Sequence, residues 1–286
     1  MAIDQLQDSI RKLKNPSMIA FYPDKSVIPP EFLQDGLSVP TAFLQYAGNL
    51  LEALKDTVPA VRFALGSFSV YGCEGLEVLK ALLDLADRLG YYILLDAPES
   101  YTPQTAKVLA DMLLSDWKFH GLLLSCYMGS DGIKPFTDRL KERDFDLFLA
   151  VRTANKSAAE IQDLLTGTRL VYTVSADLAK RLGENKIGRC GYSRVGGVGP
   201  ATSAECLRNL RSKYPEMFFF IDGYDYSGAN AKNCSFAFDR FGHGAVACAS
   251  ESVIAAWKEE GKDAVGAALE AAERMKKNLT RYVAVM

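Results

Sequence analysis

The 286-residue chain is predicted to fold as a single α/β domain, a closed (β/α)8 barrel over residues 1–286. Three observations predict it. Short β-branched or apolar runs alternate with amphipathic stretches of helical spacing, the signature of βα units and a parallel sheet. Eight strand candidates can be counted, at 18–22, 61–65, 92–96, 121–126, 147–152, 192–198, 217–221 and 244–249, and several are continuous apolar runs, as strands buried on both faces require. The length suits one barrel, and no Gly-x-Gly-x-x-Gly follows the first strand, as a dinucleotide-binding open sheet would want.

The elements follow in order. Residues 1–15 alternate charged and apolar side chains at helical spacing, which is not the pattern of a secretory signal. A Pro-rich loop at 23–40 leads into a first outer helix at 37–57. Residues 75–89 repeat apolar positions every three or four residues and read as the second. Stretches 158–165 and 201–213 read as helices likewise, and 262–282 as a long closing helix. Residues 168–185 look like an extra strand-like and helical excursion between the fifth and sixth repeats. No linker rich in Gly, Ser or Pro and no low-complexity tract divides the chain.

Composition narrows the function classes. Hydrophobic residues at 49% and charged residues at 24% are ordinary for a globular protein, and a net charge of −2 leaves no electrostatic footprint for nucleic acid or an anionic membrane surface. No apolar run approaches the roughly 18–20 residues of a membrane span. Six cysteines without a CxxC pair read as reduced, mostly buried thiols of a cytoplasmic protein. Two histidines, His120 and His243, are too few for a histidine metal site, and both enter strands on the face opposite to catalysis. No metal and no cofactor is expected. There is no Gly-x-Ser-x-Gly, no His-Glu-x-x-His and no Walker loop. The acid–base–acid run 138–144 reads as a surface helix, and the basic run 274–277 as a solvated helix face.

The most informative stretch is Asp96-Ala97-Pro98-Glu99-Ser100-Tyr101-Thr102-Pro103-Gln104-Thr105-Ala106. It resembles the third-strand motif Asp-Ala-Lys-Arg-Gly-Asp-Ile-Gly-x-Thr-Ala of the orotidine 5'-phosphate decarboxylase family, in its longer bacterial subgroup. Asp96, Ala97, Thr105 and Ala106 fall in register. Further stretches are similar along nearly the whole chain. They are Val61-Arg62-Phe63 with the helix from Gly75, Tyr127-Met128-Gly129-Ser130-Asp131-Gly132, Val151-Arg152-Thr153-Ala154-Asn155, and Val195-Gly196-Gly197-Val198-Gly199-Pro200-Ala201-Thr202. Gly223-Tyr224 and Ser250 sit where the family's last two phosphate-binding loops fall.

The resemblance implies a barrel with its site at the C-terminal ends of the strands, an alternating Lys–Asp array that releases carbon dioxide and protonates the carbanion, and a homodimer in which the segment after strand three, here 101–106, reaches the neighbour's site. At the matching positions this chain departs. Pro98 stands for the central Lys, and a prolyl nitrogen has no proton to give. Tyr101 stands for the second Asp, Arg62 for the strand-two Lys and Tyr22 for the ribose-holding Asp. Ala154 replaces the pyrimidine-contacting Ser, Ser227 the phosphate-gripping Gln and Glu251 the phosphate-binding Arg, which reverses a charge.

Asp96 and Arg62 are therefore the retained charges. Asp96 reads equally as an active-site group or as the cap of the next helix, and Arg62 as an anion binder or, preferably, as a remnant pair with Asp96. Tyr22, Tyr101, Thr105, Ala154, Tyr224, Ser227 and Glu251 are the candidate pocket residues. Tyr22, Tyr101, Tyr224 and Tyr226 would either line a pocket or fill a disused one, and Glu99, Asp222, Asp225 and Glu251 would either converge on a cation or be idle surface acids. The leading expectation is a diverged barrel without decarboxylase activity that binds or acts on an uncharged or cationic small molecule. The alternatives are an active decarboxylase of pyrimidine biosynthesis with a rearranged site, and an interface subunit that binds no small molecule.

Overall fold

The computed structural model describes residues 1–97, 102–260 and 263–286, with Glu260 described by its backbone only. Pro98, Glu99, Ser100 and Tyr101, which include the positions of the central Lys and the second Asp, lie outside the described residues. Eight parallel strands close into a barrel: β1 (Ser17–Phe21), β2 (Ala60–Ala64), β3 (Tyr92–Asp96), β4 (Gly121–Leu124), β5 (Asp146–Leu149), β6 (Val195–Pro200), β7 (Phe219–Asp222) and β8 (Ala245–Ala249). β1 closes the ring by pairing with β2 (Met18 opposite Ala60) and with β8 (Ser17 opposite Ala247).

Period-two alternation sets what each strand presents. Outward residues such as Ile19, Phe63, Leu95, Leu149, Phe219 and Ile221 join one core cluster with the surrounding helices. Inward residues such as Met18, Ala60, Tyr92, Leu94, Phe148, Phe220 and Val246 form a second cluster. The helix Ala2–Leu13 adds Ile3, Leu6 and Ile10, all fully buried, to this inner cluster and so stoppers the N-terminal end of the barrel. Gly244 N–H donates to Gln7 Oε1 (3.0 Å) and Cys190 N–H to Asp4 Oδ1 (2.9 Å), tying the plug to the loops before β8 and β6. Among the described residues, the C-terminal end of the barrel is the open one.

The outer helices include Val39–Leu54, Gly72–Arg88, Pro103–Asp116, Ala204–Lys213 and Ala264–Thr280. Several expectations need correction. Stretch 158–165 is not a helix: a single 3-10 turn, Lys156–Glu160, gives way to a hairpin pairing Leu165–Thr166 with Arg169–Leu170. Its apolar spacing faces solvent, with Ile161, Leu164 and Leu165 all exposed, and Gly167 turns at φ +64°, which no helix allows. The helix of the fifth repeat is Val171–Leu182, inside the stretch read as an excursion. The acid–base–acid run is likewise a short 3-10 turn, Asp138–Lys141. β6 begins three residues later than expected, because Ser193 makes an antiparallel bridge to Ile187 before the chain enters the barrel. Among the described residues no helix is long and apolar enough to cross a membrane.

Candidate functional site at the C-terminal mouth

The alternation that fills the barrel also builds the mouth. One step beyond Ala60, Leu94, Phe220 and Val246, the next inward positions are Arg62, Asp96, Asp222 and Cys248. A cavity of about 430 Å³ opens above them, lined by Arg62, Asp222 and Cys248 together with Tyr22, Tyr224, Asp225, Tyr226, Ser250 and Glu251. That volume lies toward the lower end of the roughly 300–1,000 Å³ typical of small-molecule sites.

Arg62 is the centre of the arrangement. Its Nη2 pairs with Asp96, and its Nη1 donates to Asp222 Oδ1 at 2.9 Å. The guanidinium carbon also lies 5.3 Å from the centroid of Phe220. Burial by itself would weaken the Arg62 charge, but Asp96 and Asp222 outweigh it and hold its pKa above the ordinary value. The same burial pushes the Cys248 thiol far up, only partly offset by Arg62, so it is protonated and unreactive.

The second feature is a carboxylate cluster where β7 and β8 end. Ser250 N–H donates to Asp225 Oδ2 at 2.6 Å and the Ser252 hydroxyl to Asp225 Oδ1 at 2.5 Å, with Ser252 N–H more distant at 3.4 Å. Phosphates bound by barrels sit against the loops after the seventh and eighth strands. Here a side-chain carboxylate already occupies those donors. Glu251 Oε1 accepts from Tyr22 Oη at 2.6 Å. Burial first and Glu251 second push the Tyr22 phenol up, so it stays a donor. Gly223 allows this crowding: its φ is +79°, and a Cβ there would come within 2.4 Å of Ala154 Cβ and 3.0 Å of the Tyr226 ring.

Of the residues singled out from the sequence, Arg62, Tyr22, Tyr224 and Glu251 line the cavity, and Asp96 supports it through Arg62. Ala154 is buried behind Gly223, and Ser227 is exposed outside the lining. Thr105 is exposed too. Its hydroxyl interacts with Thr102 Oγ1 (2.7 Å), and Thr102 caps the helix Pro103–Asp116. The loop after β5 is pinned by Arg152, which meets Asp163 through Nε and Nη2 at 2.9 Å each, and by Thr153 N–H to Gln162 Oε1. Sequence reasoning missed Cys248 and the bonding of Asp225. Alternation back from Ser250 gives the first; the second is a loop-to-loop bond with no local signal. Among the described residues no group of three or more His, Cys, Asp or Glu side chains is placed to hold a metal ion.

Chemically, the described lining offers one guanidinium, already paired twice, several carboxylates and three phenols. Neither Arg62 nor Tyr22 gives up a proton readily near neutral pH.

Comparison with known proteins accords with the fold. No protein-family model matches the chain. It is 30% identical over 262 residues to an orotidine 5'-phosphate decarboxylase of Clostridium acetobutylicum, with 91% of each chain covered. Over 261 residues it is 28% identical to the enzyme of that name from Clostridium novyi, covering 91% of this chain and 90% of the other. Among solved structures, Leishmania donovani OMP decarboxylase superposes with a TM-score of 0.76 at 22% identity, covering 97% of this chain and 98% of that one. Plasmodium berghei orotidine 5'-monophosphate decarboxylase gives 0.80 at 14% identity, over 99% and 98%. With near-complete coverage at this level of identity, the chain belongs to the orotidine 5'-phosphate decarboxylase family.

Proposed function

We propose that this family member does not decarboxylate orotidine 5'-phosphate and serves instead as a binding protein, or as an enzyme of altered chemistry, for a small molecule without a phosphate. The observation that carries this is Asp225, whose carboxylate takes the donors of Ser250 and Ser252 at the end of β8. Glu251 faces the same cavity. A phosphate entering there meets two negative side chains, and the lining cation, Arg62, is already held by Asp96 and Asp222. The described lining contains no Lys, and residues 98–101 contain none in sequence, so no ammonium from these positions protonates a carbanion.

The test is a decarboxylation assay on orotidine 5'-phosphate beside calorimetry with uridine monophosphate, and rescue of a pyrimidine auxotroph. No turnover, no rescue and no saturable nucleotide binding are expected. Turnover would establish the second reading, an active decarboxylase with a rearranged site, which the 27–30% identity to enzymes of that name favours.

The proposal includes a homodimer, as the family resemblance implies. Exposed Val108 and Met112 on the helix Pro103–Asp116, with Tyr127 and Met128 after β4, supply apolar surface for it. Light scattering at twice the chain mass is the expected result.

A further inference from the structure

At the end of the barrel away from the mouth, a second groove of about 570 Å³ opens between the end of the helix Val171–Leu182 and the entries to β6 and β7. Its floor is apolar: Val195 is fully buried, and Tyr214 and Met217 nearly so. Three exposed charges stand on its rim, Lys180, Glu184 and Glu216. Among the described residues none of the three forms an ion pair, so each is free to meet a partner.

The groove also carries an open strand edge. Ile187, in its lining, stands opposite Ser193 in an antiparallel bridge. The bonds of this bridge fall on either side of the pair: Arg194 N–H donates to Lys186 C=O at 2.9 Å, and Gly188 N–H to Tyr192 C=O at 2.8 Å. In that register the N–H and C=O of each bridged residue point away from its partner. On the Ser193 side the N–H donates onward to Glu216 C=O at 2.8 Å. On the Ile187 side the N–H and C=O have no backbone partner among the described residues, and Ile187 is 39% exposed. The edge is set before any partner arrives, which lowers the cost of binding. Gly188 packs on the stopper helix so closely that a Cβ would come within 2.6 Å of Asp4 Oδ1, and Lys186 Nζ donates to Leu182 C=O at 2.8 Å. An unpaired edge beside an apolar groove suits an extended chain: main-chain bonds give affinity, and alternate side chains reach the groove. A residue laid opposite Ile187 puts its side chain on the face that Ile187 and Ser193 share. Two free carboxylates against one free ammonium favour a basic side chain two positions along.

We propose that this groove docks an extended peptide segment of a partner protein, added as a strand at Ile187, with an apolar side chain over Val195 and Met217 and a basic one facing Glu184 and Glu216.

The probe is the blocked pentapeptide acetyl-Thr-Leu-Thr-Lys-Thr-amide, titrated calorimetrically into the full chain. Saturable binding is expected, weaker by about tenfold when the leucine is N-methylated or the lysine is replaced by glutamate. Glu184→Gln combined with Glu216→Gln removes two exposed, unpaired charges and so keeps the fold. It should weaken the lysine peptide about tenfold and narrow its advantage over the glutamate peptide. Bound peptide should also slow hydrogen exchange at the Ile187 amide. The inference is overturned by no saturable binding up to roughly 10 mM, by equal affinity for the N-methylated peptide, or by unchanged exchange at Ile187. An Ile187 amide protected in the concentrated free chain and released on dilution would assign the edge to a second copy, which overturns it as well. The groove lies at the opposite end from the mouth, so these outcomes leave the proposed loss of decarboxylation to its own assay.

Discussion

Arg62 is held between carboxylates from opposite sides of the barrel, 34 and 160 residues away in the chain. Removing one partner of such a buried group leaves charge without compensation, which costs about 3–5 kcal/mol. Arg62→Met should lower the urea-unfolding free energy by that amount, and a loss below roughly 1 kcal/mol would mean that the triad contributes little. A second buried carboxyl, Asp146, sits at the far end of the barrel. Tyr92 donates to its Oδ2 at 3.0 Å, and Arg194 Nε stands 3.6 Å from its Oδ1. Burial pushes Asp146 up to about 8, held back in part by Tyr92 and Arg194. An unfolded Asp ionises near 4. Between those values the folded chain holds a proton that the unfolded chain has released, so this group favours folding at low pH, and that stability is lost as pH rises through about 8. The slope is at most about 1.4 kcal/mol per pH unit. Asp146→Asn should flatten it in urea titrations across this range, and identical slopes for the two proteins would contradict the assignment. The Arg62–Asp96 pair was legible in the sequence because both residues fall at positions of the family's Lys–Asp array and point inward on neighbouring strands. Asp222 as the second partner was not, since the pairing crosses the barrel and depends on registers that a linear pattern does not contain.

Among the elements, the helix Ala2–Leu13 shows how position decides function. Its apolar face would suit any amphipathic helix, but the structure spends it on closing the barrel. Ile10 is fully buried there, so Ile10→Ala should cost about 2–5 kcal/mol in denaturant unfolding. Ligand binding at the opposite mouth should be unchanged at temperatures where the variant stays folded. The helix Pro103–Asp116 begins with Thr102 accepting from Thr105 N–H at 3.4 Å and Thr105 Oγ1 accepting from Thr102 N–H at 3.1 Å. Thr102→Ala should destabilise the protein by about 1 kcal/mol, read by thermal unfolding. Strands were easier to place from sequence than helices. A strand buried on both faces is a run that few other structures tolerate. The stretch 158–165 had helical spacing but no neighbour to cover Ile161 and Leu164, and Gly167 then favoured a hairpin.

For the whole molecule, the barrel was legible from its eightfold alternation, while the mouth was legible only in part. Residues on strands, such as Arg62 and Asp96, inherit their placement from the sheet. Thr105, in the first turn of a helix, and Ser227, in a loop, do not, and the structure sets both outside the cavity. The charge at the mouth leads to a prediction at this scale: uridine monophosphate at millimolar concentration should leave the melting temperature within about 1 °C of the free protein. An upward shift of several degrees would show that the nucleotide still finds a home. The stoppered N-terminal end has a kinetic corollary. With Ile3, Leu6 and Ile10 packed into the lumen, the barrel is a well with one opening rather than a tunnel. Arrival and departure share a single doorway, so a bound molecule excludes the next until it has left, and no relay of cargo from one face of the protein to the other can run through the centre of the ring.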